Sequence, residues 1–496
     1  MLIWFVTLYL LVSIGIGLYA ATRVHSAKDF AVAGRHLPLP VVTATVFATW
    51  FGAEAIFGVS STFVKEGLHG VVADPFGASL CLIIAGIFFS RKLYKLNVLT
   101  LGDYFRLRYN RSVEVLATVC IVLAYLGWVS AQIKALGLLF NVLTDGVISQ
   151  DAGMILGALI VLTYTTLGGM LSVAILDFVQ MGVIIGGMLF IAYLVSGQTG
   201  GVMPVIEHAK EAGKLDFFPE PDPWKWIAFL GAGMTMMLGS IPQQDVFQRI
   251  TSARTARIAL WGSIIGATIY FCFTFVPMFI AYSATLIDPA QFNALMQVDS
   301  QLVLPTFVLQ HTPVFAQAIF FGAVLAAIMS CSSATLLAPS VAFAENIVRD
   351  LMPHMGDKEF LRVMRITIVC FTAGVLAFAL NSESTIFGMV ENAYKVTLAG
   401  AFIPLFAGVF WKRATTQGAL YAIIGGVLSW ILIEVIIGEK SLVPPQLIGL
   451  AISLLGMITG SLLPSWIGRE IPKEDIHEAL HHRHGVESHP VTDRQH

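Results

Sequence analysis

Small polar side chains stand together in the middle of a long apolar segment, AAIMSCSSATLL at residues 326–337, where residues 330–333 read Ser-Cys-Ser-Ser. Ala327 and Ser330 are three residues apart and would share one face of a helix, with Cys331 beside them. A serine hydroxyl and carbonyls from an interrupted neighbouring helix would form an oxygen cage that suits a bare monovalent cation. The alternative is close helix packing by small residues, with the serines bonded back to their own helix.

Two further apolar segments are interrupted at their centres by residues that disfavour a regular helix. The first reads ATWFGAEAIFG at residues 48–58, and the second reads MLGSIPQQDVFQR at residues 237–249. Pro242 frees an upstream carbonyl, which is costly in lipid unless it lines a cavity or binds a ligand. Interrupted segments at corresponding places in two halves of a chain indicate the binding site of a transporter. The alternative is that glycine and proline are simply common in membrane helices.

The elements that would hold these residues belong to a strongly apolar chain. Of its 496 residues, 56% are hydrophobic and only 12% are charged, with a mean hydropathy of +0.79. A soluble domain carries about 25% charged residues, so the composition predicts an all-α polytopic membrane protein. The five cysteines have no CxxC spacing, which argues against a disulfide framework and a zinc site. The sequence has no Walker motif, dinucleotide fingerprint or HExxH motif, so no enzyme activity is expected.

Apolar windows of about 20 residues recur along the chain and predict thirteen membrane helices. They lie near residues 2–21, 39–63, 71–95, 112–143, 151–168, 171–197, 225–249, 256–286, 306–340, 362–382, 385–411, 416–437 and 444–465. With the N-terminus outside, 22 of the 29 lysines and arginines fall on the inside and 5 on the outside. The positive-inside rule therefore predicts an outside N-terminus and a cytoplasmic C-terminus in the cell membrane.

Several stretches resemble motifs of the sodium:solute symporter family, and the resemblance extends over residues 2–465. They are DFAVAGRHLPL (29–39), LGGMLSVAILDFVQ (167–180), FQRITSAR (247–254) and GVFWKRATTQGALYAIIGGVL (408–428). ATWFG, LGSIP and AAIMSCSS are most similar to the choline-transporter-like or proline-transporter-like branch. The resemblance implies a LeuT-like inverted repeat of two five-helix units, about 39–197 and 225–411, within a domain of residues 1–465. It also implies sodium-coupled symport of a small polar organic solute into the cell by alternating access.

The resemblance further implies where the coupling ion, Na⁺, binds. Its ligands would be the carbonyls of Ala48, Phe51 and Ala327 and the hydroxyl of Ser330, with Asp177 near the inner exit path. No metal beyond sodium is expected. Cys331 stands where the family usually has a second hydroxyl, and a thiol sulfur is a soft, weak ligand for Na⁺. The site would therefore be weaker, recruit Ser333 or water, or have lost sodium coupling in favour of protons.

The solute site implied by the resemblance differs from an aromatic box for choline. Trp128 matches one wall of that box, but Gly70 and Gln243 stand where the branch has tryptophan. Gln132 lies one turn from Trp128, and Gln243 and Gln244 lie at the second interruption. An amide-rich pocket with one aromatic side suits a small solute with carboxylate, amine or hydroxyl groups, such as an amino acid or a monocarboxylate.

Two charged residues at membrane depth are further candidates for the solute site. Glu54 would meet a substrate ammonium or, alternatively, form a structural hydrogen bond to backbone freed by the interruption. Lys134 would pair with a carboxylate, but it lies about 200° around the helix from Gln132, so both cannot face one pocket. The alternative for Lys134 is that it extends towards the membrane surface.

Two other functions remain open from the sequence. One is a proton-coupled symporter of the same fold, and the other is a membrane sensor that uses a transporter-like domain. The polar, histidine-rich tail at residues 466–496 is expected to be cytoplasmic, and it holds no signalling domain, which favours transport. The expected partners are the solute, the sodium ion and membrane lipid, with no nucleic acid; the oligomeric state is open.

Overall fold

The computed structural model describes residues 2–352, 354–438, 441–464 and 466–467, so nearly all of the predicted tail lies outside the described residues. Apart from one isolated bridge, the described residues form helices and the turns between them. The main helices, numbered in chain order, are α1 (Leu2–Ala21), α2 (Leu39–Trp50), α3 (Glu54–Glu66), α4 (Leu68–Lys95), α5 (Arg111–Leu143), α6 (Gln150–Gln198), α7 (Pro223–Gly239), α8 (Gln244–Ser252), α9 (Ala256–Ile287), α10 (Val314–Leu351), α11 (Asp357–Asn381), α12 (Ile386–Gly400), α13 (Phe402–Phe410), α14 (Thr416–Ile436) and α15 (Pro445–Leu462). Short helices connect them at Ala27–Val32, Leu101–Arg108, Val202–Glu211, Pro289–Val298 and Val303–His311.

Within the described residues, eight helices are long and apolar enough to cross a membrane, or ten if each of two bent pairs is one span. The bent pairs are α2 with α3, at 56°, and α12 with α13, at 47°. The apolar stretches Trp4–Tyr19 and Gln150–Thr163 are shorter than these spans. The all-helical class is as expected, while the count of thirteen membrane helices stays a prediction.

α6 contains two of the predicted membrane helices, which meet at Gly169. This residue has φ +52° and ψ −149°, and a positive φ favours glycine. A Cβ atom there would also lie 2.5 Å from the carbonyl oxygen of Phe30. Both the backbone and the close approach of the N-terminal segment therefore require glycine at this turn.

α10 runs through the interior of the protein. Every residue from 323 to 342 is buried, and the helix packs against α5 and α6. α9 packs against α2, and α12 packs against α5. The small polar residues 330–333 therefore face other helices and not lipid, where they would be costly.

A polar network holds the end of α10 against the start of α5. Asn346 Nδ2 donates to Asp103 Oδ1 and to Glu114 Oε1, both at 3.0 Å. Glu114 Oε2 in turn lies 3.4 Å from Arg106 and 2.9 Å from Arg111. Because each buried acceptor has a donor, the network fixes the relative position of two helices that both supply residues to the interior site.

The crossing of α5 and α6 gives a test of this packing. A Cβ atom at Gly153 would lie 2.9 Å from the carbonyl oxygen of Gly137, whereas one at Gly182 would meet nothing within 4 Å. We expect Gly153→Leu to lower the free energy of unfolding by at least about 1–3 kcal/mol through overpacking. Gly182→Leu, on the exposed face of the same helix, should leave it nearly unchanged. Thermal denaturation in detergent checks both, and equal effects of the two variants would contradict the packing described.

Candidate functional site

The chain leaves helical geometry between α2 and α3. Phe51 has φ −88° and ψ +74°, and its N–H donates to the Phe47 carbonyl at 2.9 Å. The next backbone bond across the break runs from the Ile56 N–H to the Gly52 carbonyl, at 3.2 Å. Among the described residues, no downstream backbone amide bonds to the carbonyls of Ala48 and Phe51. These two oxygens are therefore left for side chains or for an ion.

Oxygen atoms from three helices converge beside this break. The Ser330 hydroxyl on α10 donates to one carboxylate oxygen of Asp177 on α6. It also lies 3.3 Å from the Ala48 carbonyl oxygen on α2. Because a hydroxyl has one hydrogen, it cannot donate to both acceptors. The second carboxylate oxygen of Asp177 has no hydrogen-bond partner among the described residues, and all three residues are buried. An oxygen-lined, partly unsatisfied position of this kind suits an alkali cation.

The neighbours of Ser330 on α10 divide into two groups. The Ser332 and Ser333 hydroxyls bond back to carbonyls of their own helix, at 2.6 and 2.9 Å, as the packing alternative predicts. The Cys331 thiol instead lies 3.9 Å from Glu54 Oε1. Ala327 is buried one turn before Ser330. The structure thus brings Ser330 to the oxygen cluster and turns Cys331 towards Glu54.

Glu54, Trp128 and Gln132 form one buried cluster. Trp128 Nε1 donates to Glu54 Oε1 at 3.0 Å, and Gln132 Nε2 donates to Glu54 Oε2 at 2.5 Å. Gln132 Oε1 also accepts the Ala53 N–H at 2.9 Å, so it satisfies a backbone donor freed by the break. The Glu54 carboxylate also accepts its own backbone N–H beside the break, as the structural alternative proposes, and it faces the Cys331 thiol. All of these donors are neutral.

Aromatic rings from α2, α5 and α12 pack around Trp128. Its centroid lies 5.4 Å from that of Trp50, 5.6 Å from Tyr394 and 5.8 Å from Tyr125. Trp50 also stacks on Tyr394 at 6.2 Å. The pocket predicted to have one aromatic side therefore has four buried rings. Such rings attract cations within about 6 Å of their centroids.

The two glutamines at the break between α7 and α8 point in different directions. Gln243 Nε2 lies 3.3 Å from Thr397 Oγ1 on α12, one turn from Tyr394, and Gln243 Oε1 has no partner among the described residues. Gln244 Oε1 instead accepts the Leu101 N–H at 2.8 Å, at the start of a short loop helix. The structure therefore brings Gln243 towards the aromatic rings and does not bring Gln244 there.

Lys134 lies apart from the cluster around Glu54. Its Nζ donates to the carbonyls of Ser382 and Ser384 at 3.0 and 2.7 Å, just beyond the end of α11. A cation at the C-terminal end of a helix interacts favourably with the exposed carbonyls and the helix dipole. This contact explains why a lysine occurs in an apolar segment, and the explanation requires no bound solute.

The structure adds charged residues to which the sequence argument gave no role. Asp245 accepts a hydrogen bond from the Tyr125 hydroxyl, and its second carboxylate oxygen has no partner among the described residues. The Arg249 guanidinium is buried and donates to Thr49 at 2.7 Å, next to Ala48. Asp74, on α4, is buried as well. A charge inside an apolar segment is a functional candidate by default, and that signal would have found all three.

Known proteins resemble this chain over most of its length. A profile of the sodium:solute symporter family matches residues 30–426. The high-affinity choline transporter 1 of Torpedo marmorata is 30% identical over 448 residues, which are 85% of this chain and 75% of that protein. The sodium/proline symporter of Escherichia coli (strain K12) is 27% identical over 480 residues, 92% of this chain and 91% of that protein.

A solved structure gives the likeness in three dimensions. It is the substrate-bound outward-open state of a Na⁺-coupled sialic acid symporter, with a TM-score of 0.79 at 19% sequence identity. The match covers 93% of this chain and 98% of that chain. At this identity the likeness concerns the fold alone, and it confirms the LeuT-like architecture expected from the sequence.

Gln132 offers a test of the cluster around the break. Gln132→Ala would remove the hydrogen-bond partner of the Ala53 N–H and of Glu54 Oε2. Each buried polar group left unpaired lowers the free energy of unfolding by about 1–3 kcal/mol. We expect a clear fall in melting temperature in detergent. Gln446→Ala is the matched control, because this buried glutamine contributes one 3.2 Å bond to Thr235. A fall no larger than that of the control would contradict the role given to Gln132.

Proposed function

This chain belongs to the sodium:solute symporter family, and from that premise we propose which of its residues bind the ion and the solute. It is a multi-pass membrane transporter that couples the movement of a small organic solute to sodium, and it is not an enzyme. The assignments that follow are supported by contacts of the described residues.

We place sodium among the carbonyls of Ala48 and Phe51, the Ser330 hydroxyl and the Asp177 carboxylate, with the Ala327 carbonyl completing the set. The support is the convergence of Ser330, Asp177 and Ala48 and the unpartnered second oxygen of Asp177. A buried carboxylate oxygen without a donor is costly, and a bound cation removes that cost. Here Asp177 is a direct ligand as well as part of the exit path. Cys331 is no ligand, since its thiol is directed to Glu54.

We propose that the solute carries an ammonium group, and the environment of Glu54 is the observation that supports this. Its carboxylate is 2% exposed and has only neutral donors, and no described lysine or arginine forms an ion pair with it. An unpaired buried charge is unfavourable, so the site favours an incoming cation. The rings of Trp50, Trp128 and Tyr394 would receive the same group through cation–π attraction.

The remaining polar atoms suit further hydrogen-bonding groups on the solute. Four buried atoms near the α7–α8 break lack partners among the described residues: Ser240 Oγ, Gln243 Oε1, Asp245 Oδ2 and the Tyr394 hydroxyl. Buried polar atoms are rarely unpaired in native proteins, so a bound solute would satisfy them. Gln244 and Lys134 stay outside the solute site, because their polar atoms bond elsewhere.

The charge of the interior favours amines and amino acids over simple monocarboxylates. Glu54, Asp74, Asp177 and Asp245 are all buried, against the buried guanidinium of Arg249. A solute with only a carboxylate would therefore meet a repulsive site. The relatives include transporters named for choline and for proline, which makes these two compounds the first probes.

We further propose the direction of transport from the distribution of lysine and arginine. An outside N-terminus places a cavity that Lys65 and Glu66 line at the outer side of the membrane. Transport would then run inward, by alternating access of the repeats 39–197 and 225–411. One charge moving through 100 mV supplies about 2.3 kcal/mol, which alone supports roughly fifty-fold accumulation. Uptake that is driven by a pH gradient and does not depend on sodium would show that protons are the coupling ion. Solute binding without transport would indicate a sensor.

Ser330→Ala tests the sodium site. Loss of the hydroxyl should raise the sodium concentration for half-maximal uptake at least about tenfold, equivalent to about 1.4 kcal/mol. The assay is uptake of radiolabelled choline or proline into proteoliposomes over a series of sodium gradients. Ser332→Ala is the control, because that hydroxyl bonds within its own helix. An unchanged sodium dependence in Ser330→Ala would overturn the assignment.

Glu54→Gln tests the solute site. The variant keeps the shape of the side chain but removes its charge, so affinity for ammonium compounds should fall at least about tenfold. Thermal stabilisation by choline, proline and short monocarboxylates, measured in sodium and in potassium, reports the binding. Glu434→Gln, at a partly exposed residue, is the control. Stabilisation of Glu54→Gln by an amine to the same extent as the parent protein would contradict the proposal.

A further inference from the structure

Asp74 is a buried carboxylate with one unsatisfied oxygen. It lies near the start of α4, where its backbone is extended (φ −140°, ψ 121°) within the kinked segment Val72–Gly77. The Tyr270 hydroxyl on α9 donates to one carboxylate oxygen. The other oxygen has no partner among the described residues, although the residue is only 2% exposed.

The surroundings of Asp74 provide no counter-ion. No described lysine, arginine or histidine forms an ion pair with it, and the charge that reaches it most strongly is that of Glu54, which is also negative. Two buried carboxylates that repel one another are unfavourable unless a positive charge lies close to both. Asp177 differs in this respect, because its carboxylate is attracted to the positive charge of Arg249.

Asp74 is connected to an open cavity and to the proposed sodium site through its neighbours. Val72, two residues before it, lines a cavity of about 760 Å³, whose wall carries the acids Glu66, Asp216, Glu220 and Glu391 against the lysines Lys65 and Lys225. Tyr270, which donates to Asp74, packs its ring edge-on against Phe51 at 6.3 Å. An acidic cavity wall raises the local concentration of cations. Cations are therefore concentrated near the segment that carries Asp74.

We propose that Asp74 and the Tyr270 hydroxyl bind a second sodium ion, on the cavity side of the site formed by Ala48, Phe51 and Ser330. Carboxylate and hydroxyl oxygens are hard ligands that suit such an ion. The aromatic rings that suit an ammonium group pack around Trp128, which donates to Glu54, so a metal ion fits Asp74 better than the solute does. The inference rests on the proposed function, because it takes the first sodium site as given.

Sodium binding without any solute tests the inference. The full-length protein is purified, and its melting temperature is measured against NaCl concentration, with N-methyl-D-glucamine chloride holding ionic strength constant. Stabilisation grows as RT ln(1 + [L]/Kd) for each site, so the limiting slope reports the number of bound ions. We expect a slope of two ions for the parent protein and of one ion for Asp74→Asn. Ser330→Ala and Tyr270→Phe should each keep the slope of two ions but weaken sodium binding about tenfold.

Controls separate this inference from the first sodium site and from misfolding. Ser79→Ala, at a buried hydroxyl without a partner on the same helix, should behave like the parent protein. If Asp74→Asn keeps the parent slope while Ser330→Ala weakens sodium binding, the second site is wrong and the first stands. If Ser330→Ala binds sodium as tightly as the parent protein, the first site is wrong. A parent slope of one ion, with a pH dependence that Asp74→Asn abolishes, would overturn sodium at Asp74 in favour of a proton.

Discussion

The interior of this protein is organised around backbone groups that the break in α2 leaves unpaired. An unpaired amide or carbonyl away from water is costly, and lipid offers no partner, so the neighbouring helices must supply one. α5 supplies Gln132, whose side-chain oxygen accepts the Ala53 N–H. α10 places the Ser330 hydroxyl 3.3 Å from the Ala48 carbonyl, although the hydroxyl hydrogen is donated to Asp177. Both interactions require α5 and α10 to lie against the break, and α10 is consequently buried through its central turns.

Each buried acid near the break accepts a hydrogen bond from a neutral donor, and none forms an ion pair within the part of the chain that the structure describes. Asp177 receives the Ser330 hydroxyl, Asp245 receives the Tyr125 hydroxyl, and Asp74 receives the Tyr270 hydroxyl. In each of these residues the second oxygen lacks a hydrogen-bond partner among the described residues. Neutral donors orient a carboxylate without neutralising it, so the interior retains an attraction for cations. A symporter requires this property, because an ion that is paired permanently cannot leave on the other side.

The sequence was sufficient for the features that follow from local pattern. Composition and apolar windows predicted the helical class, and Pro242 and Gly52 located the interruptions. Charge and polarity at membrane depth, together with the family resemblance, also identified Glu54, Trp128 and Gln132, which the structure joins in one cluster. It could not identify Trp50, Tyr125 and Tyr394 as companions of Trp128, because they come from separate segments and the chain has 11% aromatic residues. Nor could the sequence separate Gln244 from its neighbour Gln243. The side chains of these consecutive residues point in different directions, and only that of Gln243 contacts α12.

Consecutive residues on α10 connect the proposed ion site to the proposed solute site for the same geometric reason. Neighbouring side chains on a helix diverge by about 100°, so Ser330 reaches Asp177 while Cys331 reaches Glu54. Gly52 leaves room for the cluster around Glu54, since a Cβ atom there would lie 2.7 Å from Gln132 Oε1 and 2.8 Å from Cys331 Sγ. If sodium and solute bind where we propose, an ion that moves α10 would also move the side chain that faces Glu54. Coupling between the two proposed sites then needs no long-range signal, because adjacent residues of one helix reach both.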